Sequence, residues 1–356
     1  MRYLHVFLAF FLLVSAPARG AEHAVILLYH HVGETTPPNT SVSPELFREQ
    51  MSHLAAEDFT VLSLGTILRL LEEKRSLPER TVAITFDDAY RSILDTAMPV
   101  LHEYGWPCTI FVSTGGVDAG YRDYLTWDDL RRLQERGAEI GNHSHSHAHL
   151  VRRQEGESLL NWRQRVRKDI TMAAERLRAE LGIEARLFAY PYGEHTPELR
   201  TVARELGYRG IAQQSGAVDS RTDRMIIPRF PMTNRYGAMD RFRTRVRSRP
   251  LSVSEDPPGP TILREGETEN RGISFVVEPG EYRLDALACF SSSGEQLPFS
   301  KTVEQEKVRV SLRLPPWKAG RRKINCTAPA EGLENTYYWF SRQWLVTRPD
   351  GSWYEE

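Results

Sequence analysis

Cysteine is scarce in this sequence, charge of one sign is not in excess, and no long apolar run occurs beyond the first twenty residues. With three cysteines in 356 residues and no C-x-x-C pair, there is no basis for a thiolate-rich metal site. The 46 basic and 47 acidic residues leave a net charge of -1, which excludes a case for nucleic acid or an acidic membrane surface as the partner. One local exception, Arg241 to Arg249, reads as a solvated helix between domains. No segment after residue 21 approaches the ~20 apolar residues needed to cross a bilayer. Internal repeats and low-complexity segments are absent as well.

What is present begins with a compartment signal. Arg2, the apolar run Leu4 to Val14 and the small residues Ser15 to Ala21 have the three-part form of a secretory signal, with cleavage after Ala18 or Gly20. The expectation is an exported, soluble protein, periplasmic or secreted; a retained N-terminal anchor is the alternative. Cys289 and Cys326 suit that compartment, since each lies in an alternating, strand-like context and the two can pair if their Cα atoms come within disulfide range. Cys108 reads as a buried free thiol.

The length suits one large domain and one smaller one. From Ala24 to Phe230, about seven apolar strands alternate with amphipathic helices, as in a parallel α/β barrel or an open α/β sheet. In both folds chemistry gathers at the C-terminal ends of the strands. Near residue 250 the composition changes. Pro250, Pro257, Pro258 and Pro260 mark a linker, and the remainder alternates like a β-sandwich. The expected layout is a signal over 1–20, a catalytic domain over 21–248, a linker over 249–262 and a small all-β domain over 263–356.

Two stretches carry chemistry. Thr85-Phe86-Asp87-Asp88 ends a buried strand with adjacent carboxylates that repel each other unless a cation lies between or beside them. About fifty residues on, Asn142-His143-Ser144-His145-Ser146-His147 follows another strand. His143 and His147 are four apart, and with one aspartate they form a three-ligand divalent site open to water and substrate. The other aspartate is then placed to take a proton from water, and spacing does not choose between the two. Pro191-Tyr192-Gly193 is either an ordinary strand-to-helix turn or a rigid turn aiming a backbone N–H into the site. His30 and His31 stand at the exit of the first strand, where a histidine can protonate a leaving group.

Thr-Phe-Asp-Asp, His-Ser-x-x-His and Pro-Tyr-Gly in this order resemble the polysaccharide deacetylase family, also called the NodB-homology carbohydrate esterases. The resemblance covers residues 24 to 235. It implies a deformed (β/α) barrel of about seven parallel strands and metal-dependent N-deacetylation of acetylated amino sugars. By position, Asp87 is implied as general base; Asp88, His143 and His147 as ligands of Zn²⁺ or another divalent transition metal; and Tyr192 as a backbone donor to the oxyanion. Two departures stand out. Ala189 occupies the place of an arginine that usually braces the base, and no histidine follows His195 to act as the family's usual acid.

Leu28-Tyr29-His30-His31-Val32 resembles the opening strand of the permuted branch, which includes poly-β-1,6-N-acetylglucosamine deacetylases of biofilm export systems. His30 is then the implied acid, and Arg229 in Ile227-Pro228-Arg229-Phe230 the candidate substitute brace. Pro191, Trp127 and Arg229 complete the expectation as substrate contacts. The implied substrate is an acetylated glucosamine polysaccharide, with export or cell-envelope components as partners. Chitin oligomers or peptidoglycan are alternative substrates. A further alternative is a catalytically weak binding or adhesion protein, suggested by Ala189 and by Trp317, Tyr337, Tyr338, Trp339 and Trp344, half of which are expected in a sandwich core.

Overall fold

The computed structural model describes residues 20–255 and 259–355. The expected signal segment falls outside them except for residue 20. Among the described residues no helix is long and apolar enough to cross a membrane.

The strands of the first domain are apolar on both faces because both faces are covered. Val25, Leu27 and Tyr29 of the His23–Tyr29 strand pack into one core cluster, and Ala24 and Ile26 into another on the opposite face. The Thr81–Phe86 strand divides in the same way: Val82, Ile84 and Phe86 join the first cluster, Ala83 the second. Such two-sided burial belongs to parallel strands carrying crossover helices. The strands follow the spatial order Ala217–Asp219, His23–Tyr29, Thr81–Phe86, Thr109–Val112, Glu139–Asn142, Leu187–Ala189, Arg209–Ile211. Thr60–Val61 and Phe230–Pro231 add to it, giving a nine-stranded curled half-barrel. The expected parallel strands are present, and an additional strand, Ala217–Asp219, runs antiparallel to His23–Tyr29.

Helix termini follow the sequence signals. Ser43 caps Pro44–Ala56 by accepting from Leu46 N, with Pro44 in the first turn. Thr126 and Asp129 form a capping box on Trp127–Glu135. Left-handed Gly182 closes the long helix Leu159–Leu181.

The second domain is a sandwich of two sheets. One holds Tyr337–Thr347, Gly320–Pro329 and Ala288–Ser291; the other holds Gly272–Val277, Lys307–Arg313 and Phe299–Glu304. Phe275, Val310 and Leu312 face Ile324, Cys326 and Trp344 across its core. Cys289 and Cys326 are register partners on neighbouring strands and are joined by a disulfide. The described residues of the expected linker pair with strands of this domain. Arg249–Pro250 pairs with Tyr338 and Trp339, Val253–Glu255 pairs with Gly272–Val277, and Leu251 N donates to Trp339 O at 3.0 Å. Proline, which lacks a donor, is tolerated on such edge strands, so Pro250 marks an edge strand where the sequence suggested coil.

Candidate active site

The C-terminal ends of the parallel strands converge on one groove, a cavity of about 1360 Å³ lined by His30, Asp88, Tyr90, Tyr124, His147, Tyr192 and Gln213, among others. Its far wall comes from the second domain and includes Arg321, Lys323, Asn325, Thr327, Tyr337 and Trp339.

Strand periodicity separates the two aspartates. Ala83, Thr85 and Asp87 share a face by period two, which turns Asp87 toward the barrel interior. Arg229 meets it there. Its Nη1 and Nη2 donate to Asp87 Oδ1 and Oδ2 at 2.7 and 2.8 Å, Nη1 also to Thr85 Oγ1 at 3.1 Å, and Nε to Ala212 O at 2.9 Å. Both side chains are fully buried. Burial works against ionisation of Asp87, but the guanidinium, helped by His143, outweighs it and holds the carboxyl below its ordinary value.

Period two would send Asp88 outward with Phe86. The backbone instead turns left-handed at Asp88 (φ 72°) and Ala89 (φ 62°), which places the carboxylate beside the histidines. Its Oδ1 lies 3.3 Å from His143 Nε2 and 3.0 Å from His147 Nε2. Ser144 (φ 66°), His147 (φ 53°) and Tyr192 (φ 58°) are also left-handed. Each such non-glycine residue costs about 1–3 kcal/mol, and strain gathered in this way is characteristic of functional sites. Asn142 holds the histidine loop: buried, it donates to Ile170 O and Tyr208 Oη and accepts from Ser144 N at 2.8 Å.

The donor set suits a divalent cation. One atom each from Asp88, His143 and His147 lies within 4.8 Å of the others, and buried Asp88 Oδ1 and His147 Nε2 have no hydrogen-bond partner among the described residues. Bonds of about 2.0–2.1 Å at tetrahedral angles place neighbouring ligand atoms about 3.3–3.4 Å apart; the observed 3.3 Å matches and 3.0 Å is slightly shorter. His143 Nδ1 donates to Ala189 O at 2.8 Å, which leaves Nε2 as the ligand atom. Burial opposes charge on both Asp88 and His143, yet their neighbours outweigh it: His143 and His147 hold Asp88 well below its ordinary range, and Asp87 and Asp88 hold His143 above its own.

His30 Nε2 and His143 Nε2 each stand 4.0 Å from Asp87 Oδ2. Burial of His30, offset in part by Asp88 and Asp87, keeps its pKa below 6.5, so the imidazole is neutral at neutral pH. His31 instead stacks on Tyr90 at 3.6 Å, with burial pushing it down to about 4. Tyr192 sits in a one-turn helix, Pro191–Gly193, whose neighbouring amides are engaged: Gly193 N donates to Tyr190 O and Glu194 N to Pro191 O.

The structure therefore brings together Asp87, Asp88, His30, His143, His147 and Tyr192. It corrects three expected substrate contacts. Pro191 is buried, and its carbonyl accepts from Glu194 N to close the turn. Arg229 has no exposed surface, since it spends its donors on Asp87, Thr85 and Ala212. Trp127 lies outside the groove, where Nε1 donates to Asp118 and Arg176 covers the ring. Of the aromatics, Trp317 and Trp344 are sandwich core, Tyr338 packs on Tyr282, and Tyr337 and Trp339 reach the groove. Tyr90, Tyr124 and Gln213 were missed; closeness to Asp88 was the available signal for Tyr90 only.

Residues 74–211 match the family described as polysaccharide deacetylase. Over 244 residues the chain is 29% identical to a poly-beta-1,6-N-acetyl-D-glucosamine N-deacetylase of Staphylococcus epidermidis, spanning 63% of this chain and 82% of that protein. A protein of the same name from Staphylococcus aureus is 27% identical, over 54% and 68%. Among solved structures, IcaB from Ammonifex degensii superimposes with a TM-score of 0.54 at 22% identity, over 61% of this chain and 95% of that one. The BpsB deacetylase domain from Bordetella bronchiseptica gives 0.51 at 24%, over 61% and 98%. These two structures share the fold, and each leaves more than a third of this chain unmatched.

Proposed function

We propose that this chain, a member of the polysaccharide deacetylase family, hydrolyses N-acetyl groups from a β-linked N-acetylglucosamine exopolysaccharide, with Asp88, His143 and His147 holding a divalent transition metal such as Zn²⁺. The observation that carries the reading is the convergence of those three ligand atoms with Asp87 beside them at the strand ends. The Staphylococcus relatives favour the β-1,6-linked polymer as substrate. An acetylated polymer of that kind also suits an exported enzyme acting near the cell envelope.

A bound cation would supply Lewis acidity toward the acetyl carbonyl and the attacking water. Asp87, ionised and aimed by Arg229, takes a proton from that water as it attacks the carbonyl carbon. The Tyr192 backbone N–H donates to the oxyanion that develops on the carbonyl oxygen. His30, neutral at rest and 4.0 Å from Asp87, accepts the proton and delivers it to the departing amine as the C–N bond breaks. Acetate and a glucosamine unit result. The pairing of Arg229 with both carboxylate oxygens of Asp87 supports a working site in spite of Ala189.

The test is acetate release from acetylated glucosamine oligomers by the parent, Asp88→Ala and His147→Ala. The reading expects both variants to fall at least 100-fold. Parent-like rates in either would sink it.

A further inference from the structure

We propose that the C-terminal β domain is a working part of the catalytic centre: it clamps the Tyr192 turn through Arg321 and Gln343 and walls the substrate groove. This rests on the activity proposed above. Strand periodicity is the starting point. Along Gly320–Pro329, Ile324, Cys326 and Ala328 enter the sandwich core, while Arg321, Lys323, Asn325 and Thr327 line the groove. Along Tyr337–Thr347, Trp344 and Val346 are core, whereas Leu345 packs into a cluster of the first domain with Leu150, Trp162 and Leu199. The polar face that a free sandwich turns to water is here pressed against the catalytic domain.

Its contacts concentrate on one turn. Arg321 Nη1 donates to Tyr192 O, and its guanidinium lies 5.9 Å from the Tyr192 ring. Gln343, 4% exposed, donates from Nε2 to Gly193 O at 2.7 Å. Tyr354 Oη donates to Glu194, whose other oxygen takes His149 Nδ1 at 2.9 Å; the His149 ring stacks on Tyr192 at 3.9 Å. Three consecutive residues, 192 to 194, are thus held from three points of the second domain. Tyr192 needs such holding, because its left-handed φ of 58° is one that residues with a Cβ rarely adopt. The domain also reaches the base: Lys323 Nζ donates to Gln213 O at 2.7 Å, and Gln213 Nε2 to Asp87 Oδ2 at 3.4 Å. An oxyanion donor works only in place, and displacement by about 1 Å can cost about 100-fold. Arg321 and Gln343 are therefore positioning residues.

The experiment uses the full chain with Arg321→Ala, Gln343→Ala, Arg321→Lys and, as control, Val303→Ser on an outer strand at 71% exposure. The clamp predicts kcat lowered about 10- to 100-fold in both alanine variants, with KM, bound metal and melting temperature near the parent's, partial recovery in Arg321→Lys and parent rates in Val303→Ser. It also predicts hydrogen exchange at least tenfold faster across residues 191–195 in the alanine variants. Unchanged exchange there overturns the clamp, as does a rate loss that tracks lost metal or unfolding. Exchange is read without turnover, so a parent that releases no acetate counts against the proposed activity alone.

Discussion

Asp87 and Arg229 form a pair in which each side chain needs the other, since both are fully buried and each is the other's counter-charge. Removing one partner of such a pair costs about 3–5 kcal/mol because a buried charge is left alone. Arg229→Met should therefore lower the thermal midpoint and reduce kcat by at least 100-fold, and Arg229→Lys should not restore the rate, because an ammonium cannot hold both carboxylate oxygens. Steady-state kinetics with thermal melting of the two variants checks this. The Asp pair, the His pair and the Tyr192 turn were legible because each is a local cluster of unusual residues at a strand end. Arg229 was legible as a candidate brace only through the resemblance carried by Ile227-Pro228-Arg229-Phe230. Its partner lies 142 residues away, and no local pattern encodes that distance.

At the scale of elements, the three site-bearing turns are strained and depend on small or buried neighbours. Gly193 has φ 67°, and a Cβ there would sit 2.5 Å from Gln213 Cβ. Gly193→Ala should thus displace the turn and lower kcat by about 100-fold while metal content stays at the parent's level, as acetate kinetics and metal analysis would show. His30 and His31 divide by direction: one opens on the groove, the other stacks on Tyr90. His30→Ala should cost about 10²–10⁴ in kcat, and His31→Ala much less. Because His30 works neutral and Asp87 ionised, kcat/KM should stay level at neutral pH and fall only as pH drops below 6.5. A rate that rises on acidification through that range would contradict the proton route.

Across the whole molecule, the sequence marks a change near residue 250 by composition, and the strands of the two C-terminal sheets begin at Arg249 among the described residues. What composition does not mark is that the second domain reaches back. Arg321 and Gln343 look like ordinary outward positions of a sandwich, and only the docked face shows their use. Stability should share one pH signature. Asp87, Asp88 and Glu194 are buried carboxyls whose partners hold them below their ordinary values of 3.8 to 4.5. Depressed native values mean that the unfolded chain binds protons more readily. The stability they confer is therefore complete above about 4.5 and is lost as pH falls through the native values, which melting curves between pH 7 and 3 would record.

The most direct test of the account is acetate release from poly-β-1,6-N-acetylglucosamine oligomers by the full chain, stripped of metal and then restored with Zn²⁺ or another divalent transition metal. Release should be negligible from the stripped protein, return with about one ion per chain, and fail to return in Asp88→Ala. Release that ignores metal, or persists in Asp88→Ala, would contradict it.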